Sequence, residues 1–275
     1  MRVCLMIEGQ EGVTWEQWRA LAATAEESGF EALFRSDHYE SLAGSANHGS
    51  LDAWATINAL AALTTTLKLG TLVSPVTFRH PSVLARNVVT ADHISGGRVE
   101  LGMGAGWHEG EHRAFGFPFE TTKARFDRLT EQVEIVHRSW EADPFDFDGR
   151  FYRLEQADAQ PKPVQQPHPN LILGGAAGPR GAALAARWAD EYNTVSPTAE
   201  EARERRDRIV AACAEIGRDP ITFSAMFTLE GTPDELIERL RGLAEAGVER
   251  VMLQHLAHDD LATVELVGRE VIPNV

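Results

Sequence analysis

The sequence predicts an α/β protein, a single (β/α)8 TIM barrel with an inserted hairpin between its fourth helix and fifth strand. Apolar runs of strand length alternate eight times with stretches of helical periodicity along the 275 residues. Two helix ends repeat one local pattern, Glu-X-Gly-X-Glu at residues 27–31 and 245–249, in which glycine ends a helix and an apolar residue begins the next strand. An open doubly wound sheet would have fewer strands, so one barrel domain spanning residues 1–275 is favoured.

Capping residues place the helices of the first half. Thr14 and Gln17 form a capping box, and Pro81 stands at a first helical position. Ser50 is expected to cap the second helix, in which Ala, Leu and Ile recur at helical spacing. The strands of this half are predicted at residues 3–7, 33–39, 68–73 and 98–104, and the helices at residues 15–29, 52–66, 81–97 and 122–140.

Residues 143–162 interrupt the alternation with proline, glycine and alternating aromatic residues. This composition predicts a hairpin inserted between two units as a lid or rim element. The alternation then resumes, and capping boxes at residues 198–201 and 232–235 open two of the later helices. The remaining strands are predicted at residues 171–175, 191–195, 221–227 and 248–254, and the remaining helices at residues 179–190 and 261–271 and after each capping box.

Charge and cysteine content narrow the function classes. A net charge of −15 and a pI near 5.1 argue against nucleic acid or an anionic membrane surface as partner, which favours a small-molecule substrate. Cys4 and Cys213 are the only cysteines, so neither a disulfide framework nor a thiolate metal site is available. The apolar run after Met1 breaks at Glu8, too early for a signal peptide, and no window approaches about 18 apolar residues. We therefore expect a cytoplasmic protein in a reducing compartment.

The stretch LFRSDHY, residues 33–39, carries the first candidate site residues. Its apolar run ends in Asp37 and His38, at the carboxyl end of the second strand, where a (β/α)8 barrel keeps its active site. Both residues are therefore candidates for catalysis or cofactor binding. The alternative is that Asp37 caps the following turn and that His38 is a solvated loop residue.

Residues 108–112, HEGEH, match the zinc-hydrolase pattern HExxH. The context is unfavourable, because Gly110 lies inside the motif and Gly116 and Pro118 end the segment before a long helix forms. A zinc hydrolase is therefore a remote alternative, and no metal site is expected.

Two glycine-rich strand ends are candidate cofactor contacts. Gly104 and Gly106 would let a flat ring approach the backbone closely, although a tight turn that needs positive φ is an equal alternative. Trp107 replaces the last glycine of a dinucleotide fingerprint, so a Rossmann site is not expected. Residues 173–180, LGGAAGPR, join a strand end to a helix start, and their free N–H groups would suit a phosphate, with Arg180 as a charged donor. A plain connection of small residues is the alternative.

The chain carries four stretches in a specific combination: SDH at residues 36–38, GTLVSPVTFRHP at 70–81, SGGRVELGMGAGWHEGEHRAFG at 95–116 and LILGGAAGPRGAALAARWADEYN at 171–193. Together they resemble the luciferase-like monooxygenase superfamily, and within it most of all the deazaflavin (coenzyme F420)-dependent oxidoreductases. The resemblance implies the same barrel, with a flavin-like ring at the carboxyl ends of the strands, and a homodimer.

The resemblance also implies a role for each candidate residue. A non-proline cis peptide behind the ring would fall at Leu72–Val73. Asp37 would contact the ring, and His38 would be the acid/base. The phosphate-bearing tail of the cofactor would be held by the backbone of Gly174, Gly175, Ala176 and Ala177.

The implied function is reversible hydride transfer between coenzyme F420 and a small organic substrate. A deazaflavin has carbon in place of the reactive flavin nitrogen, so it moves hydride without readily forming an oxygen adduct. An FMN-dependent monooxygenase that uses O2 is the alternative, and a barrel that binds flavin without turnover is a more distant one. The family's sugar-phosphate dehydrogenases have a glutamate and a tryptophan where this chain has Trp107 and Leu42, so a sugar-phosphate substrate is not expected.

Overall fold

The computed structural model describes residues 1–43, 48–141 and 144–275. Its strands are β1 (Arg2–Ile7), β2 (Ala32–Arg35), β3 (Lys68–Pro75), β4 (Val99–Gly104), β5 (Phe145–Asp148), β6 (Arg153–Ala157), β7 (Asn170–Gly174), β8 (Glu191–Val195), β9 (Thr222–Thr228) and β10 (Arg250–Gln254). Its helices are α1 (Trp15–Glu27), α2 (Ala53–Ala61), α3 (Pro81–Ser95), α4 (Glu109–Phe115), α5 (Thr122–Glu141), α6 (Pro179–Trp188), α7 (Ala199–Glu215), α8 (Pro233–Glu245) and α9 (Leu261–Leu266), which continues as a π-helical turn over Val267–Val271.

Eight of the described strands run parallel and close into a barrel in the order β1-β2-β3-β4-β7-β8-β9-β10. Strand β10 pairs with β1, with Arg2 opposite Arg250, which closes the sheet. The (β/α)8 barrel predicted from the sequence is confirmed. Among the described helices, none combines the length and the apolar composition needed to cross a membrane.

Apolar side chains fill both the barrel interior and the space between the barrel and its helices. The interior cluster includes Met6, Phe34 and Ile172, and the larger outer cluster joins the strands to the inner faces of the helices. A parallel sheet covered in this way has its strands buried on both faces. Polar groups can therefore gather mainly at the two ends of the barrel.

The second helix begins and ends differently from the prediction. Its N-cap is Asp52 rather than Ser50, and the Asp52 side chain accepts a hydrogen bond from the Ala55 N–H at 2.9 Å. The helix ends at Ala61, whereas the prediction carried it through three threonines to residue 66. The carboxylate of Glu26 on α1 accepts hydrogen bonds from the backbone N–H groups of residues 65–67. This tertiary contact outweighs the weak helical preference of the threonines.

Helix α4 is a short element that the sequence pattern did not indicate. Gly110 lies inside it, and Gly116 ends it in the left-handed region at φ 72°. Both glycines disfavour a helix on propensity alone. The helix nonetheless forms with Glu111 and His112 on its buried face, so packing against the barrel decides its structure.

The segment predicted as an insertion, residues 143–162, contains β5 and β6, which pair antiparallel. Residue 143 itself lies outside the described residues. Phe145 and Tyr152 pack on Ile135 of α5, and the Tyr152 hydroxyl accepts a hydrogen bond from Gln132 Nε2 at 2.6 Å. These two strands lie against α5 and form a sheet of their own, separate from the barrel.

A buried ion cluster lies at the amino-terminal ends of the barrel strands. Arg250 Nη1 lies 2.6 Å from Glu100 Oε2 and 2.9 Å from Glu191 Oε2. Its Nη2 lies 3.0 Å from Glu100 Oε1, and its Nε lies 2.8 Å from Glu31 Oε2. Arg250, Glu100 and Glu191 are 1%, 3% and 1% exposed, so each relies on the others for charge compensation.

Replacing Arg250 by Met is expected to lower the free energy of unfolding by about 3–5 kcal/mol, because the buried Glu191 loses its counter-charge and Glu100 keeps, among the described cations, only Lys68 Nζ at 3.7 Å. Urea denaturation followed by circular dichroism measures the change. Arg241→Met is the matched control, since Arg241 lies at the surface and donates to the Asn274 carbonyl. Equal unfolding midpoints for the two variants would contradict the compensating role of Arg250.

Candidate active site

A cavity of about 450 Å³ lies at the carboxyl ends of the barrel strands. Each barrel strand contributes to it, either from its last residues or from the residues just after it. This is where a (β/α)8 barrel is expected to place its chemistry. One lining residue from each of the eight strand ends, in barrel order, is Glu8, His38, Val73, Gly106, Gly174, Asn193, Met226 and Gln254.

His38 lines this cavity and is held by Glu111 from helix α4. The His38 Nδ1 atom lies 2.8 Å from Glu111 Oε2, and the carboxylate accepts the Nδ1 proton. The other oxygen, Oε1, accepts hydrogen bonds from the backbone N–H groups of Tyr39 and Glu40. The Glu111 side chain is fully buried. One carboxylate therefore fixes both the His38 ring and the backbone that follows it.

The pair changes the protonation of both partners. Burial by itself lowers the pKa of His38, but the hydrogen bond and charge of Glu111 outweigh it and raise that pKa above 6.5. Burial raises the pKa of Glu111, but the hydrogen bond and charge of His38 outweigh it and hold that pKa below 4.5. The pair stabilises the fold fully between pH 4.5 and 6.5. This stability is lost as pH rises through the folded-state pKa of His38 or falls through that of Glu111.

The histidines of HEGEH have other partners. His108 Nε2 lies 3.1 Å from Glu40 Oε2, and His112 Nε2 lies 2.6 Å from the Thr77 hydroxyl. His112 Nδ1 lies 2.7 Å from the carbonyl oxygen of His108. The two rings are therefore engaged by different groups, and the motif contributes both Glu111 and His112 to the lining of the cavity.

Asp37 is adjacent to His38 in sequence, but it is not among the residues that line the cavity. Its Oδ2 atom accepts hydrogen bonds from Arg79 Nη1 at 2.5 Å and from the Ser74 hydroxyl at 2.7 Å. The side chain is 1% exposed. The charge of Arg79 and the hydroxyl of Ser74 hold the carboxylate within the structure, so Asp37 supports β3 rather than facing the cavity.

The end of β3 has the backbone geometry that the resemblance implied. The peptide bond Leu72–Val73 is cis, and both residues line the cavity. Gly104 packs against the Val73 side chain, since a Cβ on it would lie 2.6 Å from Val73 Cγ2. Gly104 thus allows β4 to pack closely against Val73 and does not line the cavity. Gly106 does line it, with φ 77°, so both a turn and a close approach apply there.

A second cavity of about 390 Å³ adjoins the first at Gly174 and Gly175. Ala176 and the start of helix α6 line it, and the N-cap residue Gly178 offers no side-chain capping bond. Arg180 lines it as well, and its Nη2 lies 2.6 Å from Asp127 Oδ1. The second cavity therefore combines the positive end of a helix with a guanidinium group.

Two of the backbone groups expected to hold a phosphate already have protein acceptors. The Gly175 N–H donates to the Asn193 carbonyl at 3.0 Å, and the Ala177 N–H donates to the Tyr192 hydroxyl at 3.0 Å. Ala177 is also fully buried. An anion here would contact Ala176 and the first turn of α6 instead.

Sequence reasoning missed several polar residues of the site. Glu8 Oε1 accepts a hydrogen bond from Gln254 Nε2 at 2.5 Å, and Glu8 Oε2 accepts one from Gln10 Nε2 at 2.9 Å. Glu8 and Gln254 each end an apolar strand, the same signal that identified His38. Glu111 does not follow an apolar strand, so no local sequence pattern identified it. Its position depends on how α4 packs.

Comparison with known proteins identifies the family. A family model described as luciferase-like monooxygenase matches residues 3–229. The chain is 34% identical over 201 residues to an FMNH(2)-dependent dimethylsulfone monooxygenase from Pseudomonas putida, and the match covers 72% of this chain and 54% of that protein. It is 28% identical to an F420-dependent glucose-6-phosphate dehydrogenase from Nakamurella multipartita, covering 93% of this chain and 91% of that protein.

Solved structures show the same fold. An F420-dependent secondary alcohol dehydrogenase in complex with an F420-acetone adduct superimposes with a TM-score of 0.87 at 20% identity, covering 100% of this chain and 98% of the other. The family model, the curated relatives and the solved structure are thus consistent with one family and one fold. The chain is therefore an oxidoreductase that belongs to the luciferase-like monooxygenase family, within which it resembles the F420-dependent branch.

Proposed function

We propose that the protein is a coenzyme F420-dependent oxidoreductase that transfers a hydride between the deazaflavin and a small organic substrate. The observation that carries the proposal is a pair of adjoining cavities, one of which contains the His38–Glu111 pair. Relatives named as F420-dependent dehydrogenases support the choice of cofactor. Leu42, Phe78 and Trp107 line the cavity, which favours a substrate with an apolar body.

The residues of both cavities fit such a cofactor. Gly174 and Gly175 line both cavities, so one elongated molecule would occupy the two together. Leu72, Val73 and Gly106 would lie beside a planar ring in the first cavity. Ala176, the start of α6 and Arg180 would face a phosphate in the second. Asp37 would act on the ring indirectly, through its bond to Ser74 of β3.

The bound deazaflavin would supply or accept the hydride, and His38 would handle the proton. Glu111 accepts the Nδ1 proton of His38, so Nε2 is the nitrogen left to exchange a proton with the substrate oxygen. The pKa of His38 is raised above 6.5, which extends the pH range in which the protonated ring can donate to a carbonyl group during reduction. In the oxidation direction the neutral ring would accept the proton.

An FMN-dependent monooxygenase is the second candidate, because a relative that is 34% identical is named as FMNH(2)-dependent. The same two cavities would accept a flavin ring and its single phosphate. We also propose a homodimer, as the family resemblance implies, and a cytoplasmic location, as the cysteine content and the early break of the first apolar run suggested. Light scattering on the purified protein measures its oligomeric state.

The protein is expected to bind coenzyme F420 more tightly than FMN. Fluorescence titration of the purified protein with each cofactor measures the two dissociation constants. An equal or higher affinity for FMN would favour the monooxygenase.

His38→Ala is expected to lower kcat by about 10²–10⁴-fold with little change in cofactor affinity, because general acid/base help is lost while the cofactor contacts remain. Steady-state kinetics and the fluorescence titration measure the two effects separately. His93→Ala is the control, since His93 on α3 contacts the Lys162 carbonyl. A His38→Ala enzyme with near-normal kcat would place the proton step elsewhere.

Glu111→Gln is expected to lower the pKa of His38, because Glu111 supplies the hydrogen bond and the charge that raise it. Activity that needs the protonated ring would then decline at a lower pH than in the wild type. NMR titration of the His38 ring measures the pKa without a substrate. The matched control is Glu109→Gln on the same helix, where Glu109 is exposed and lies 3.1 Å from Arg113. The same His38 pKa in both variants would contradict the assigned role of Glu111.

A further inference from the structure

Three side chains with metal-binding atoms lie close together at the end of the barrel opposite the cavities. His137 and Glu141 lie one turn apart near the end of helix α5, and His168 lies just before β7. These residues are at the amino-terminal side of the barrel, whereas the cavities open at the carboxyl ends of the strands. We call these three residues the His137 cluster.

The distances within the His137 cluster match those of a metal site. His137 Nδ1 lies 3.0 Å from Glu141 Oε2, and His168 Nε2 lies 3.7 Å from Glu141 Oε1. One ligand atom from each residue lies within 4.8 Å of the others. Ligand atoms of a tetrahedral zinc site are about 3.4 Å apart, given metal–ligand distances of about 2.1 Å. Small side-chain adjustments would therefore place all three around one ion.

The second nitrogen of His168 has a partner that fixes the tautomer. His168 Nδ1 lies 3.0 Å from the Pro169 carbonyl oxygen, which only accepts, so the proton is on Nδ1. The other ring nitrogen, Nε2, lies 3.7 Å from Glu141 Oε1. A ligating histidine in metalloproteins commonly donates its other N–H to a carbonyl in this way.

His137 directs a buried ring nitrogen at the Glu141 carboxylate. The Nδ1 atom lies 3.0 Å from Glu141 Oε2 and makes no well-aligned hydrogen bond within the described part of the chain. Trp188 packs 4.9 Å from the His137 ring and Trp140 stacks on His168 at 5.8 Å, which restricts both rings.

We propose that the His137 cluster binds one Zn²⁺ ion, with water completing the coordination. Two imidazoles and one carboxylate favour zinc over Mg²⁺ or Ca²⁺, which prefer oxygen ligands. Glu141 is exposed, so the ion has access from solvent. The ion would join the end of α5 to the segment that enters β7 and thereby stabilise the barrel. This site is independent of HEGEH and of the proposed cofactor.

The test is a zinc titration of the full-length protein after treatment with a chelator and dialysis. Calorimetry is expected to give one site per chain, and zinc is expected to raise the midpoint of thermal unfolding. Co²⁺ in place of Zn²⁺ is expected to give the visible absorption of a tetrahedral site. Glu141→Gln should weaken zinc binding by about 10-fold or more, and His168→Asn should do the same.

Glu134→Gln is the matched control, because Glu134 lies on the same helix and lies 3.6 Å from Arg138 rather than from the cluster. It should bind zinc as the wild type does. Failure of the folded wild-type protein to bind zinc would overturn the proposal. Zinc binding that is unchanged in Glu141→Gln and His168→Asn would place the ion elsewhere and would overturn it as well. Binding of coenzyme F420 should be the same with and without chelator.

Discussion

Closure of the parallel sheet constrains the other features of this protein, because it brings eight strand ends together at each side of one barrel. The interior is filled by apolar side chains, so charged groups inside the barrel must be paired. At the amino-terminal side, Arg250 joins Glu100 on β4 and Glu191 on β8 across the interior. A buried charge cluster of this kind adds little net energy but is costly to break, so it favours one strand arrangement.

At the carboxyl side the same closure leaves polar residues around an open cavity. His38 follows β2, but its orientation is set by Glu111, which comes from helix α4 after β4. The two backbone bonds from Tyr39 and Glu40 to Glu111 hold the loop after β2 in place. His38 and the carboxylate that holds it thus come from different βα units, and both are positioned only when the barrel is closed.

The barrel and the first site residue could be predicted from sequence because both depend on local signals. Strand periodicity and capping boxes do not require knowledge of the tertiary structure, and His38 ends an apolar run in the chain itself. Features that depend on long-range contacts could not be predicted in this way. Glu26 binds the backbone after α2, Arg79 and Ser74 bind the Asp37 carboxylate, and Gly104 packs closely against Val73. In each case the deciding partner is more than 30 residues away in the sequence.

Three side chains of HEGEH meet three different partners in the fold. The HExxH pattern requires both histidines on one helix face pointing to one ion. Here the N-cap position of His108 directs its ring to Glu40, and His112 turns to Thr77. Glu111 meets His38 at the strand end, and His112 also lines the cavity. The spacing of the motif therefore matters less than the partner that each side chain meets, and in this chain the partner of Glu111 is His38.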